Sequence, residues 1–149
     1  MEYLTTHDLV WINNALTGAV SSYNYVTLEA AMAGQYRYGD SKDTLEQAAT
    51  LLRRLLDTAP FQKANRRTAF IALLSFLNAN GYATRLNDSD AAALLRDVAE
   101  GRKTAADAVT ELAAPASGEL PGRLTLRKLI THECNLHSEA LQFLTAGDE

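Results

Sequence analysis

Apolar side chains recur every three or four positions along most of the chain, and this spacing predicts a helical protein. The predicted helices are bounded by capping side chains, by glycines or by a proline. They cover Thr5 to Gly18, Val26 to Ala33, Ser41 to Asp57, Asn65 to Asn80, Asn87 to Gly101 and Thr104 to Leu112. A last helical segment contains Leu126 to Leu144 and is predicted to break near Asn135.

The helix predicted from about Asn65 to Asn80 differs from the others because apolar residues surround nearly its whole circumference. A helix with that pattern is one that other helices surround. The sequence therefore predicts an all-α fold, a helical bundle built around this buried central helix.

The segment between Gly34 and Gly39 departs from the helical pattern. Its four residues, Gln35-Tyr36-Arg37-Tyr38, alternate polar and aromatic side chains. Alternation between two glycines predicts a short β-hairpin or an extended flap.

The clearest linker runs from Pro115 to Gly122 and holds two of the three prolines. It divides the chain into a helical domain of residues 1–114 and a C-terminal helical extension of residues 123–149. A chain of 149 residues is long enough for one core that buries about two thirds of the surface of its unfolded state.

Charge and cysteine content narrow the class of protein. The formal net charge of -4 argues against a nucleic-acid partner, because phosphate backbones require clustered lysine and arginine. One cysteine, Cys134, excludes an internal disulfide. The N-terminus lacks the pattern of a signal peptide and no apolar run approaches about 18 residues, so we expect a cytoplasmic protein with no membrane partner.

The chemistry of the chain is concentrated where the central helix begins. Asn65, Arg66 and Arg67 stand at its predicted N-terminus, where free main-chain N–H groups and the helix dipole favour an anion. Two interpretations of the arginines stay open on these residues alone. They are solvated surface charges, or they help to bind a phosphate group.

The residues around this turn resemble the signature of the Fic/Doc (death-on-curing) family. That signature has a histidine, a phenylalanine, an acidic residue, a small residue, an asparagine and an arginine in fixed order. The corresponding stretch here is Ala59-Pro60-Phe61-Gln62-Lys63-Ala64-Asn65-Arg66-Arg67. The flanks are also similar, at Tyr3-Leu4-Thr5, at Ala31 to Gly39 and at Asn80-Gly81-Tyr82, so the resemblance covers roughly Tyr3 to Ala114.

The resemblance implies roles for the residues that match. Phe61 would anchor the loop in the core, and Asn65 and Arg67 would contact nucleotide phosphates, with Lys63 and Arg66 adding positive charge beside them. The flap residues Gln35, Tyr36, Arg37 and Tyr38 would pair with an extended segment of a target protein. An aromatic hairpin packed on its own core explains Tyr36 and Tyr38 equally well.

Two positions depart from the family pattern. Ala59 stands where the family has its catalytic histidine, and a methyl group cannot accept a proton from an attacking hydroxyl. Lys63 stands where the family has an acidic magnesium ligand, and an ammonium cannot coordinate a divalent cation. The departures imply that ATP or another nucleotide remains a possible ligand, while magnesium is not expected.

The His132-Glu133-Cys134-Asn135-Leu136-His137 run looks like a metal motif. On a continuous helix, however, His132 points away from the face that carries Cys134 and His137, so the three groups cannot converge on one ion. We therefore predict no metal site. Whether His132 or His137 folds back to replace the missing base stays open.

Three functions follow from these observations. The first is a Fic/Doc-like protein that binds a nucleotide or phosphate but is catalytically impaired. The second is an active transferase that moves an AMP or phosphate group to a hydroxyl side chain of a target protein, as a toxin would. The third is an interaction module without nucleotide, which binds a partner such as an antitoxin-like peptide.

Overall fold

Eight α-helices and one two-stranded sheet form the part of the chain that the computed structural model describes, residues 1–20, 22–36, 43–116 and 126–148. The helices are α1 (Thr6–Thr17), α2 (Tyr25–Met32), α3 (Thr44–Thr58), α4 (Asn65–Ala79), α5 (Asp88–Ala99), α6 (Ala105–Leu112), α7 (Leu126–Leu136) and α8 (Ser138–Thr145). The strands are β1 (Tyr82–Thr84) and β2 (Ala113–Pro115). The predicted all-α class is confirmed.

Helix α4 is the centre of the core, as its apolar circumference predicts. Every residue from Thr68 to Leu77 is buried, and helices α1, α3 and α7 pack around it, with α5 and α8 also in contact. Phe70 and Phe76 are among its fully buried side chains. Burial of each such side chain is worth about 1.5–3 kcal/mol, so the position of α4 is strongly determined by packing.

Local capping explains where several helices begin. Thr5 and Asp8 form a reciprocal capping box at the start of α1, with Thr5 N donating to Asp8 Oδ2 (2.8 Å) and Asp8 N donating to Thr5 Oγ1 (3.1 Å). The N-cap of α3 is Asp43, which accepts a hydrogen bond from Glu46 N. Ser41, the N-cap that the sequence predicts for this helix, lies outside the described residues.

The two-stranded sheet joins parts of the chain that are distant in sequence. Strands β1 and β2 are antiparallel, with Tyr82 opposite Pro115 and Thr84 opposite Ala113. Pro115, which the sequence assigns to the linker, is therefore the last residue of a strand. The backbone pairs there because the chain leaving α6 returns to the exit of α4. Residues 117–122 of the predicted linker lie outside the described residues.

The predicted flap is wrong at Gln35, the first of its four residues. Gly34 and Gln35 belong to a 3-10 turn, Ala33–Gln35, that continues α2. Gln35 is buried, and its side chain both accepts from Leu4 N (2.8 Å) and donates to Leu4 O (2.7 Å). This side chain is held by the core, so its amide is occupied within the molecule. Residues 37–40, which include Arg37 and Tyr38, lie outside the described residues.

The last two helices pack on the rest of the molecule. Helix α7 lies against α4 and α8 lies against α5. The break between them falls at His137, close to the predicted break at Asn135. No helix among the described residues is both long enough and apolar enough to cross a membrane.

Candidate anion-binding site

The connection between α3 and α4 turns sharply at two alanines. Ala59 (φ 42°) and Ala64 (φ 60°) are the non-glycine residues of the described chain that have positive φ, a conformation unfavourable for a residue with a Cβ. Ala64 occupies the N-cap position of α4, and its side chain has no atom that could cap the helix. The first N–H groups of α4 therefore need acceptors from elsewhere in the molecule.

Asn65 fixes the shape of this loop through a pair of hydrogen bonds. Its Oδ1 accepts from Phe61 N (2.9 Å) and its Nδ2 donates to Phe61 O (2.7 Å). Phe61 is itself buried in the core. Both ends of the Asn65 amide are thus occupied by main chain.

A carboxylate lies on the N-terminus of α4. Asp148 accepts hydrogen bonds from Arg66 N at Oδ1 (2.7 Å) and from Arg67 N at Oδ2 (3.0 Å). The side chain of Arg67 adds a third, from Nε to Oδ2 (2.9 Å). Two successive amides and one guanidinium therefore hold a single anionic group, as expected where the helix dipole and an arginine act together.

This ion pair is shielded from water. The side chain of Asp148 is only 3% exposed and that of Arg67 is 18% exposed. The main chain contributes as well, because Ala64 N donates to Asp148 O (3.2 Å). The arrangement supplies the N-cap that Ala64 cannot provide, from a residue 82 positions away from Arg66.

The predicted phosphate-binding residues differ in what they contribute to this site. Arg67 uses both its main chain and its side chain. Arg66 contributes its N–H, while its guanidinium lies 3.8 Å from Glu100 Oε1. Asn65 acts on the loop, and the Lys63 side chain is exposed to solvent. The sequence did not point to Asp148, since no local pattern marks an acidic residue that reaches a helix so far away in the chain.

Tyr36, the other predicted flap residue that the structure describes, lies on the surface. It is 49% exposed and its ring lies against that of Tyr3, with 4.7 Å between the centroids. It therefore packs partly on its own protein and partly faces solvent.

Of the two histidines considered as a base, His137 is committed to contacts elsewhere in the structure. Ala59 is exposed, and so is His132. His137 is buried between two carboxylates, with Nδ1 at 2.8 Å from Asp88 Oδ1 and Nε2 at 3.1 Å from Glu133 Oε2. The hydrogen bond to Glu133 is the main cause that raises the pKa of His137 above its ordinary value, with a further contribution from Asp88. Both ring nitrogens are thus committed to structural contacts.

Metal binding has no support in the described part of the chain, where no group of three or more His, Cys, Asp or Glu side chains is arranged to hold an ion. Comparison with known proteins found no match to this chain among family models, curated proteins or solved structures. The case for a function therefore depends on the geometry of the site and on the residues that resemble the Fic/Doc signature.

Proposed function

We propose that this protein is a Fic/Doc-like protein that binds the phosphate of a nucleotide at the N-terminus of α4 and is catalytically impaired. The observation that supports the proposal most strongly is the carboxylate of Asp148 held by Arg66 N, Arg67 N and Arg67 Nε. A phosphate oxygen needs the same kind of donors, and planar guanidinium groups suit it well.

The impairment follows from the two residues that depart from the family signature. Ala59 offers no proton acceptor, and a general base typically contributes about 10² to 10⁴ in rate. Lys63 offers no ligand to magnesium but can place positive charge near a bound phosphate. The changes affect the reaction and leave the anion-binding donors in place.

Calorimetric titration with ATP tests the binding part of the proposal. We compare the wild-type protein with Arg67→Ala, which removes the guanidinium, and with Arg53→Ala as a control. Arg53 is an exposed arginine on α3 that pairs with Asp57 at 3.8 Å, so its loss changes the net charge equally. Binding that weakens in Arg67→Ala and not in the control supports the proposal, while identical heats in all three proteins contradict it.

A double substitution tests the catalytic part. Ala59→His with Lys63→Asp restores the two missing groups of the signature. Histidine is one of the residues enriched at positive φ, so the backbone at position 59 suits it. Transfer of label from a nucleotide to protein in a cell lysate is expected from the double variant and not from the wild type. Labelling by the wild-type protein would instead favour an active transferase.

A further inference from the structure

We infer that the main chain of Tyr23 is an open strand edge, which binds an extended, uncharged peptide segment of a partner protein. The edge lies in the connection between α1 and α2, whereas the predicted flap follows α2. Binding at this edge requires neither a nucleotide nor the donors at the start of α4.

Two short segments pair beside the loop that leads into α4. Residues 22–24 run antiparallel to residues 60–62, with Tyr23 opposite Phe61. Two main-chain hydrogen bonds, of 2.8 Å and 3.1 Å, join the residues on either side of this pair. Tyr23 and Phe61 therefore form a non-hydrogen-bonded pair, in which the N–H and C=O groups of each residue point away from the other. The two main chains thus present outer edges on opposite sides.

One of these outer edges is closed and the other is open. The carboxamide of Asn65 closes the first, because Phe61 N donates to its Oδ1 (2.9 Å) and its Nδ2 donates to Phe61 O (2.7 Å). Among the described residues, no group makes the corresponding pair of hydrogen bonds with Tyr23 N and Tyr23 O. A peptide main chain carries the same donor and acceptor as a carboxamide, so it fits the open edge as an added strand.

Exposed apolar side chains are concentrated around the open edge. Val20 is 89% exposed, Val26 is 76% exposed and Tyr25 is 54% exposed, and all three lie close to Tyr23 in the sequence. Apolar surface gathered in one place typically marks contact with another molecule, unlike apolar residues scattered singly. A strand bound at the edge would therefore gain apolar contacts in addition to its main-chain hydrogen bonds.

The groove beside the edge favours a neutral partner. It has a volume of about 370 Å³ and is lined by Ser22, Tyr23, Asn24, Pro60, Phe61 and Gln62. None of these side chains is charged near neutral pH, although the protein has a formal net charge of -4. A charged side chain placed in this groove would lose water without gaining an ionic partner. The segment that fits best therefore presents uncharged side chains.

Two substitutions at one position test the edge directly. Tyr23→Ala and Tyr23→Pro both remove the aromatic ring, but only Tyr23→Pro also removes the N–H group. The difference between the two variants therefore isolates the main-chain donor. Circular dichroism and urea denaturation of both variants check that each one folds.

The probe is an array of short uncharged peptides that carry valine, isoleucine, threonine or tyrosine at alternate positions. We expect array members that bind the wild type to bind Tyr23→Pro about tenfold more weakly than Tyr23→Ala, because proline removes a hydrogen bond and its ring obstructs the edge. N-methylation of each peptide residue in turn should weaken binding at every second position, since alternate N–H groups face the edge.

Hydrogen exchange provides a measurement on the wild-type protein alone. A bound peptide should slow the exchange of the Tyr23 amide. The Phe61 amide, which already donates to Asn65, should change little. Unchanged exchange at Tyr23 on saturation with a binding peptide would overturn the open edge, even if Tyr23→Pro fails to fold.

The remaining outcomes separate the open edge from the proposed nucleotide site. If no array member binds the wild type, or if Tyr23→Ala and Tyr23→Pro bind the peptides equally, the open edge is wrong. Slower exchange along α2 without a change at Tyr23 would indicate a different mode of peptide binding and would also exclude strand addition. None of these results affects the titration with ATP, which depends on Arg67.

Discussion

Asn13 on α1 holds the start of α4 through the main chain of Lys63. The side-chain Nδ2 of Asn13, which is fully buried, donates to Lys63 O at 2.8 Å. The same nitrogen lies 3.1 Å from Thr68 Oγ1, to which it also donates. One amide therefore contacts both the residue before the buried N-cap Ala64 and the first turn of the helix, and it fixes the loop from the core side.

Replacement of this amide should destabilise the fold. Asn13→Ala removes the donor of the partly buried Lys63 carbonyl and of the buried Thr68 hydroxyl, and loss of such a donor typically costs about 1–3 kcal/mol. We expect a lower free energy of unfolding by urea denaturation, together with weaker phosphate binding. Asn14→Ala is the matched control, because Asn14 Oδ1 has no hydrogen-bond partner among the described residues. An equal loss of stability in the two variants would contradict the role given to Asn13.

The features that the sequence predicted correctly are those that local patterns determine. The apolar circumference of α4 and its start at Asn65 depend on residues within a few turns of one another. The flap was wrong at Gln35 because the alternation of polar and aromatic residues does not reveal that Leu4, 31 positions away, binds its amide. Long-range polar contacts determine the conformation of that segment.

The same distinction applies to the site. The donors at Arg66 and Arg67 could be predicted, since a helix N-terminus and clustered arginines are visible in the sequence. The acceptor could not, because Asp148 reaches them only through the packing of α7 and α8 on the core. Tertiary structure alone brings it to α4.

The positive φ of Ala59 predicts that glycine at this position stabilises the protein. Ala59 ends α3 in a left-handed conformation (φ 42°, ψ 65°) and is exposed. Ala59→Gly removes the conflict between the Cβ and the backbone, and we expect a gain of about 1 kcal/mol in the free energy of unfolding. Thermal and urea denaturation of the two proteins would measure this gain in stability.

Replacement of two further alanines by glycine provides comparisons for Ala59→Gly. Ala93 is exposed inside α5, and its replacement by glycine should lower the free energy of unfolding by about 1 kcal/mol. Ala64→Gly should raise the free energy of unfolding by less than Ala59→Gly does, because the Ala64 methyl group is fully buried and its packing is lost. If Ala59→Gly destabilises as Ala93→Gly does, the strain assigned to Ala59 is wrong.

Asn65 should affect phosphate binding through the loop. Asn65→Ala removes both hydrogen bonds to the main chain of Phe61, and we expect a loss of about 1–3 kcal/mol in the free energy of unfolding. Hydrogen exchange at the Phe61 amide should increase at the same time. The control is Gln62→Ala, an exposed residue of the same loop. Unchanged stability with a large loss of phosphate affinity would instead identify Asn65 as a direct ligand.

A buried cluster of polar side chains, centred on His137, joins α7 to the core. Its ring nitrogens face Asp88 and Glu133, and Glu133 also accepts a hydrogen bond from Asn78 Nδ2 on α4. Asp88 accepts from Ala140 N at the start of α8 (3.2 Å). The imidazole of His137 lies between the two carboxylates, and these contacts hold α7 and α8 where Asp148 can reach α4.

The stability of the protein should therefore fall as pH rises through neutrality. Hydrogen bonding to Glu133 and Asp88 raises the pKa of His137 above its ordinary value of 6.5, so the folded state binds the proton more tightly than the unfolded state. The stabilisation is complete below the unfolded pKa and is lost as pH rises through the higher folded pKa. Urea denaturation between about pH 5.5 and pH 8 should show this decline. Burial raises the pKa of the Cys134 thiol above 9.0, which keeps its titration above that range.

His137→Gln should flatten the profile of stability against pH, whereas His132→Gln, on the exposed side of α7, should leave it unchanged. A decline that persists in His137→Gln would assign the pH dependence to another group.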